Sequence, residues 1–123
     1  MGPLDSPEEV EGIVLETLFL QEIVALNSAL DLGYRVHYWR TSNGREVDFV
    51  LYGPRGLLAF EIKRTTRATP AMLGGLKSFL SDYPMASAHF VYMGSRQMRE
   101  DKIEIVPAQH MIKNLPHLLS GEK

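Results

Sequence analysis

Between Glu46 and Lys63 the chain sets two acids, Asp48 and Glu61, and one ammonium, Lys63, towards the ends of two strand-like runs. The runs are Glu46–Tyr52 and Leu57–Lys63, separated by the turn residues Gly53-Pro54-Arg55-Gly56. Strand side chains alternate between faces. Alternation puts Glu46, Asp48, Val50 and Tyr52 on one face of the first run and Val47, Phe49 and Leu51 on the other. In the second run it puts Leu57, Ala59, Glu61 and Lys63 opposite Leu58, Phe60 and Ile62. If Gly53 pairs with Gly56, or the loop closes at Tyr52 and Leu57, Asp48 faces Glu61 and Glu46 faces Lys63. A loop of three residues shifts every pair by one. Opposed β-carbons lie about 4.5–5.5 Å apart. Two carboxylates that close repel unless a proton or a cation is shared. A hard divalent cation resolves the conflict, because magnesium is held by one or two carboxylates plus water and phosphate oxygens. Lys63 then projects beside the ion, where it can orient a water or stabilise charge on a phosphoryl group. The plain alternative is a pair of solvated strand-end acids, with Lys63 paired to Glu46.

Further residues have two readings each. Glu16 lies among Phe19, Leu20 and Ile23 at helical spacing, and Glu22 is equally embedded. Tyr38 and Trp39 suit a half-buried strand better than base stacking. Arg40 can pair with Glu46 across a hairpin or touch a phosphate. Lys63-Arg64-Thr65-Thr66-Arg67 is a local basic cluster that suits a phosphate backbone or simple solubility. The four histidines show no metal-ligand spacing, and the methionines read as gap fillers.

The elements that must position these groups follow from local signals. Ser6 as cap, Pro7 at the first helical position and Glu9 as the return partner predict a helix from Pro7 to about Leu30. Its middle, Ile13 to Leu26, is apolar on nearly every side, which predicts packing over most of its circumference. Asp31-Leu32-Gly33 ends it. Tyr34–Thr41 reads as a strand, and with the two runs above it makes an antiparallel meander. Thr69-Pro70 opens a helix to about Asp82, with Leu73, Leu76, Phe79 and Leu80 on one face. Ala88–Met93 and Lys102–Val106 are further strands. Ala108–Leu119 is a last helix, broken or bent at Pro116. The expected fold is α/β, a mixed central sheet flanked by helices, in one domain over residues 1–123.

With 123 residues, 45% hydrophobic and 23% charged, the chain has ordinary globular composition. A net charge of −2 excludes a binder that captures nucleic acid by bulk charge, though not a local basic groove. No cysteine means no disulfide, thiolate site or cysteine nucleophile. No uninterrupted apolar run of about 18 residues is present, so no membrane span is expected. The start, Met1-Gly2-Pro3-Leu4-Asp5, has no signal-peptide pattern, and the cytoplasm is the expected compartment.

Asp48, then twelve residues, then Glu61-Ile62-Lys63 behind an N-terminal helix resembles the PD-(D/E)XK nuclease superfamily, with its restriction-endonuclease-like fold. A wider string narrows the likeness. Gly12-Ile13-Val14-Leu15-Glu16, Tyr38-Trp39-Arg40, Glu46-Val47-Asp48-Phe49-Val50 and Ala59-Phe60-Glu61-Ile62-Lys63 together resemble the nuclease-like domain of unknown function at the C-terminus of many prokaryotic AAA-type ATPases. The resemblance covers roughly residues 10–107 and leaves the helix at 108–119 outside. It implies an αβββαβ core, metal ligands at Asp48 and Glu61, a catalytic Lys63 and an accessory acid at Glu16. Magnesium or manganese is the implied cofactor and DNA the implied substrate, its backbone guided by Lys63, Arg64, Arg67 and Arg40. Val47 stands where the superfamily's name has a proline. No phosphate-binding Gly-x-x-x-x-Gly-Lys-Ser/Thr loop is present, so an ATPase partner module is not in this chain, which is an excised domain or a free-standing relative. A catalytically silent docking or oligomerisation module, with a homo-oligomer as one form of it, is the alternative on the same fold.

Overall fold

A computed structural model describes residues 6–121. The elements are α1 (Pro7–Ala29), β1 (Arg35–Arg40), β2 (Glu46–Gly53), β3 (Gly56–Ile62), α2 (Gly74–Asp82, preceded by a 3-10 turn Pro70–Leu73), β4 (Ser87–Tyr92), β5 (Met98–Glu100), β6 (Ile103–Pro107) and α3 (Ala108–Ser120). One six-stranded sheet has the order β1-β2-β3-β4-β6-β5. β1, β2 and β3 form the expected antiparallel meander, β3, β4 and β6 are parallel, and β5 returns antiparallel to β6. The architecture is therefore mixed α/β with helices on both faces of the sheet.

Two apolar layers sandwich the sheet. On one face Phe49, Leu51, Phe60, Ile62, Val91 and Val106 meet Phe19 and Ile23 of α1 and Met111, Leu115 and Leu119 of α3. On the other, Val47, Val50, Ala59, Ala88, Phe90 and Ile105 meet Leu73, Leu76 and Phe79 of the α2 region. Central strands covered on both faces become continuous apolar runs, which is why Leu57–Phe60 and Phe90–Tyr92 lack a polar alternate. The start of α2 lies so close to β2 that a Cβ on Gly75 would sit 2.1 Å from the Glu46 carbonyl oxygen. Only glycine permits that contact.

Four expectations are corrected. β5 was not expected: Met98-Arg99-Glu100 is short and polar, and it becomes a strand only because β6 offers it an edge to pair with. The helix expected from Thr69 starts as a 3-10 turn, and α2 proper begins at Gly74. α3 continues through Pro116 to Ser120 rather than breaking there, its end capped by Gly121 in the left-handed region. α1 is packed on one side only. Phe19 and Ile23 are fully buried, while Ile13, Val14, Leu18 and Val24 are 51–57% exposed. The sheet and α3 offer α1 one surface, and nothing else among the described residues covers its back.

The same helix bears on the expected lack of a membrane span. Val10–Ala29 has a mean hydropathy of 1.3 and is long and apolar enough to cross a membrane by length and composition alone. The backbone of α1 starts as expected, with Val10 N–H donating to the Ser6 carbonyl at 3.2 Å. The side chain of Glu9, the proposed return cap, lies outside the described residues.

Candidate functional site

The register of the β2–β3 hairpin is the one that opposes Asp48 to Glu61. Gly53 pairs with Gly56, and the ladder runs in step to Phe49↔Phe60. There it stops, one position short of the two acids. Lys63 N–H donates to the Val91 carbonyl at 2.9 Å, on the β4 side. Alternation therefore aims the Ile62 N–H towards β2. A side chain and not a strand carbonyl receives it: Asp48 Oδ2 accepts this N–H at 2.8 Å.

A bulge in β2 explains the change. His37 pairs with Val50 and Trp39 with Val47, so Tyr38 alone stands opposite Asp48 and Phe49. The extra residue reverses the facing of everything before it. Val47 joins Val50 and Ala59 in the α2-side core, whereas Phe49 and Leu51 are in the other. The expected alternation thus holds from Phe49 to Tyr52 and fails at Val47, because strict period two cannot survive an inserted residue.

Glu61 is only 5% exposed. Its carboxyl hydrogen-bonds that of Asp48, and its Oε1 is buried without a partner. Burial first, then the neighbouring Asp48, pushes Glu61 up from the usual carboxylate range to about 9, against the opposing pull of Lys63. Near neutral pH the cation-free pair therefore holds one proton between its two carboxyls. Glu16 is half-buried and also raised, by burial first and then by the charge of Asp48, with Lys63 again opposing and Glu46 adding to the rise. Asp48 and Lys63 thus act in opposite senses on both Glu16 and Glu61. A hollow of about 340 Å³ beside them is lined by Glu16, Tyr38, Trp39, Arg40, Glu46, Val47 and Asp48.

Other expected residues are placed differently. Glu22 is exposed, which separates it from Glu16. Glu46 pairs with Arg40 at 2.9 Å on the surface and not with Lys63. Arg64 is tied to Glu11 of α1. Arg67 is exposed, its N–H donating to Thr65 Oγ1 at 3.2 Å. His89 is buried, stacked on Phe60 at 5.1 Å between centroids, and pushed down to about 4 by that burial, in keeping with a structural histidine. Sequence reasoning did not single out Tyr52 and Tyr83, which line a second hollow on the α2 face. The sequence signal of Tyr52 is an aromatic at the end of a strand alternation, and that of Tyr83 an aromatic just past the end of α2.

The donor set can be tested against a divalent cation. Asp48 and Glu61 supply hard oxygens in contact, and one of those oxygens lacks a partner. A cation could displace the bound proton and satisfy that oxygen, so the pair fits such an ion. Among the described residues no group of three or more His, Cys, Asp or Glu is disposed to hold a metal. Glu16 therefore belongs to the electrostatic surroundings of the pair and does not complete a three-carboxylate cage.

The chain is similar to two mycobacterial proteins, the uncharacterized protein Mb2031c of Mycobacterium bovis and the uncharacterized protein Rv2008c of Mycobacterium tuberculosis. Each is 32% identical over 103 residues, which is 83% of this chain and 21% of theirs. The chain spans about a fifth of the length of these curated relatives. No solved structure matches it. Residues 11–111, which include the bulge, both acids and the lysine, match one family along most of the chain, and the protein belongs to it: the domain of unknown function DUF4143.

Proposed function

We propose that this chain is a PD-(D/E)XK-type domain that hydrolyses phosphodiester bonds in DNA with a divalent cation. The observation that carries the reading is the contact between the Asp48 and Glu61 carboxyls, with one Glu61 oxygen left buried and unpartnered. A buried acid forced to keep its proton beside a second acid is poor structural material. Such perturbed groups are arranged where they serve chemistry. Asp48 and Glu61 would hold magnesium or manganese, and such an ion supplies charge neutralisation at the phosphodiester and a more acidic water.

The chain's own residues divide the remaining work. The Ile62 N–H orients Asp48. Lys63, exposed and without an ion pair among the described residues, positions a water and stabilises charge on the phosphoryl oxygens. Glu16 adds negative charge beside Asp48 and favours a cation there. Arg64 and Arg67, just past β3, guide the backbone, and Arg40 does so from β1 in exchange with Glu46. The proposed compartment is the cytoplasm. Incubation of the chain with duplex, junction and single-stranded DNA in magnesium or manganese is expected to give cleavage that Asp48→Ala and Lys63→Ala abolish. No cleavage of any of these with either ion overturns the reading.

A second reading is supported by the exposed row Ile13, Val14, Leu18 and Val24 on α1. In it the fold is catalytically silent and docks to an AAA-type ATPase or to a second copy, which agrees with relatives five times longer than the match. Partner binding then survives Asp48→Ala and is lost in Leu18→Glu.

A further inference from the structure

The face of the sheet that meets α2 carries a second hollow of about 680 Å³, lined among others by His37, Trp39, Tyr52, Leu57, Tyr83 and Met85. No acid lines it. Tyr52 is 60% exposed and Tyr83 is 40% exposed, unusual outlay for rings that could have been buried. β1 reads Arg-Val-His-Tyr-Trp-Arg, with no acid, and lies at the edge of the sheet. Arg35 stands opposite Tyr52 in the register, and alternation puts Arg35, His37 and Trp39 on the face that holds the hollow. The surface thus combines aromatic faces with one arginine, Arg35, at its margin.

It is also continuous with the candidate site. Tyr38 and Trp39 line both this hollow and the one that contains Glu16, Glu46 and Asp48. From Asp48 to Tyr52 along β2 is about 13 Å at roughly 3.3 Å per residue. That is the length of about four stacked nucleotides at roughly 3.4 Å each. A duplex keeps its base faces inside and has nothing to offer exposed rings, whereas an unpaired strand can lay its bases on them. An extended peptide could pair with β1, but it would not explain an aromatic surface, with Arg35 at its margin, that leads to a phosphodiester site.

We infer that the nucleic acid taken by this domain is single-stranded, its bases stacked along the β1 face on Trp39, Tyr52 and Tyr83 and its backbone led to Asp48 and Glu61. The inference rests on the phosphodiesterase reading for the chemistry, and on the aromatic groove for the strand.

Trp39 is the chain's one tryptophan, so its emission reports the groove directly. Oligodeoxythymidine titrated into the chain in EDTA, where no cleavage occurs, is expected to quench Trp39, while a duplex of equal length does not. Tyr52→Ala is expected to weaken binding about tenfold, and Tyr52→Phe to leave it unchanged. An unchanged thermal melt for Tyr52→Ala separates lost stacking from lost folding. Equal affinity for duplex and single strand, or binding indifferent to Tyr52→Ala, overturns the inference even if DNA is cleaved. Ring-dependent binding of the single strand without cleavage in any metal upholds the groove and overturns the hydrolytic reading instead.

Discussion

Asp48 takes through its side chain the hydrogen bond that a strand would give through its backbone: its Oδ2 accepts Ile62 N–H at 2.8 Å. One carboxylate therefore closes the open end of the β2–β3 ladder and also touches Glu61. Structural and chemical roles meet in that residue, and substitution can separate them. Asp48→Ala leaves the Ile62 N–H without its acceptor, a loss of about 1–3 kcal/mol. Asp48→Asn keeps an acceptor oxygen and is expected to lose much less. Urea unfolding of both variants checks this, while both should lack any metal-dependent cleavage.

Glu61 makes the domain sensitive to alkali. Its folded value of about 9 lies above the ordinary 4.5, so the folded protein binds the extra proton between those limits. Stability from this group is complete below pH 4.5 and falls as pH rises towards 9. Glu61→Gln keeps the shape and a donor for Asp48 without the charge. It is expected to raise the melting temperature at pH 8 and to flatten the pH profile, measured by thermal melts in EDTA.

A cation should act on the same pair. Magnesium or manganese at saturating concentration is expected to stabilise the wild-type chain at pH 8, by about 2.7 kcal/mol at a hundredfold excess over the dissociation constant. Glu61→Gln and Asp48→Asn should respond weakly. A metal-induced rise in melting temperature of the same size in all three proteins would place the ion elsewhere.

His89 gives the opposite pH response. Burial holds it neutral, with a folded value of about 4 against an ordinary 6.5. The unfolded chain therefore binds the extra proton in that window, and stability drops as pH falls from 6.5 towards 4, by up to about 3 kcal/mol. His89→Phe retains a ring against Phe60 and removes the titration. Its urea midpoint should change less across that window than that of the wild type.

The two sides of α1 should answer very differently. Phe19→Ala opens a cavity in a fully buried position and is expected to cost about 3–5 kcal/mol. Leu18→Glu, one residue away and 53% exposed, should leave stability within about 0.5 kcal/mol. Sedimentation of Leu18→Glu beside the wild type shows whether that face joins copies. Loss of a dimer favours the docking reading, and an unchanged monomer removes self-association from it.

Local residues were enough to read the elements of the meander and the composition of the acid–acid–lysine set, and they narrowed the hairpin to two registers, of which the structure has Gly53↔Gly56. Those depend on turn chemistry and on an apolar alternation that local residues dictate. Tertiary structure decided the rest. The bulge opposite Tyr38 is set by how β1 and β2 pair, and no residue type near Val47 announces it. β5 exists because β6 leaves an edge open, so its polar residues carry no strand signal of their own. The apolar circumference of α1 was readable, but which side of it meets a sheet was not, since burial belongs to the neighbours and not to the helix. The charge state of Glu61 was likewise out of reach, because it follows from what surrounds the carboxyl and not from the residue itself.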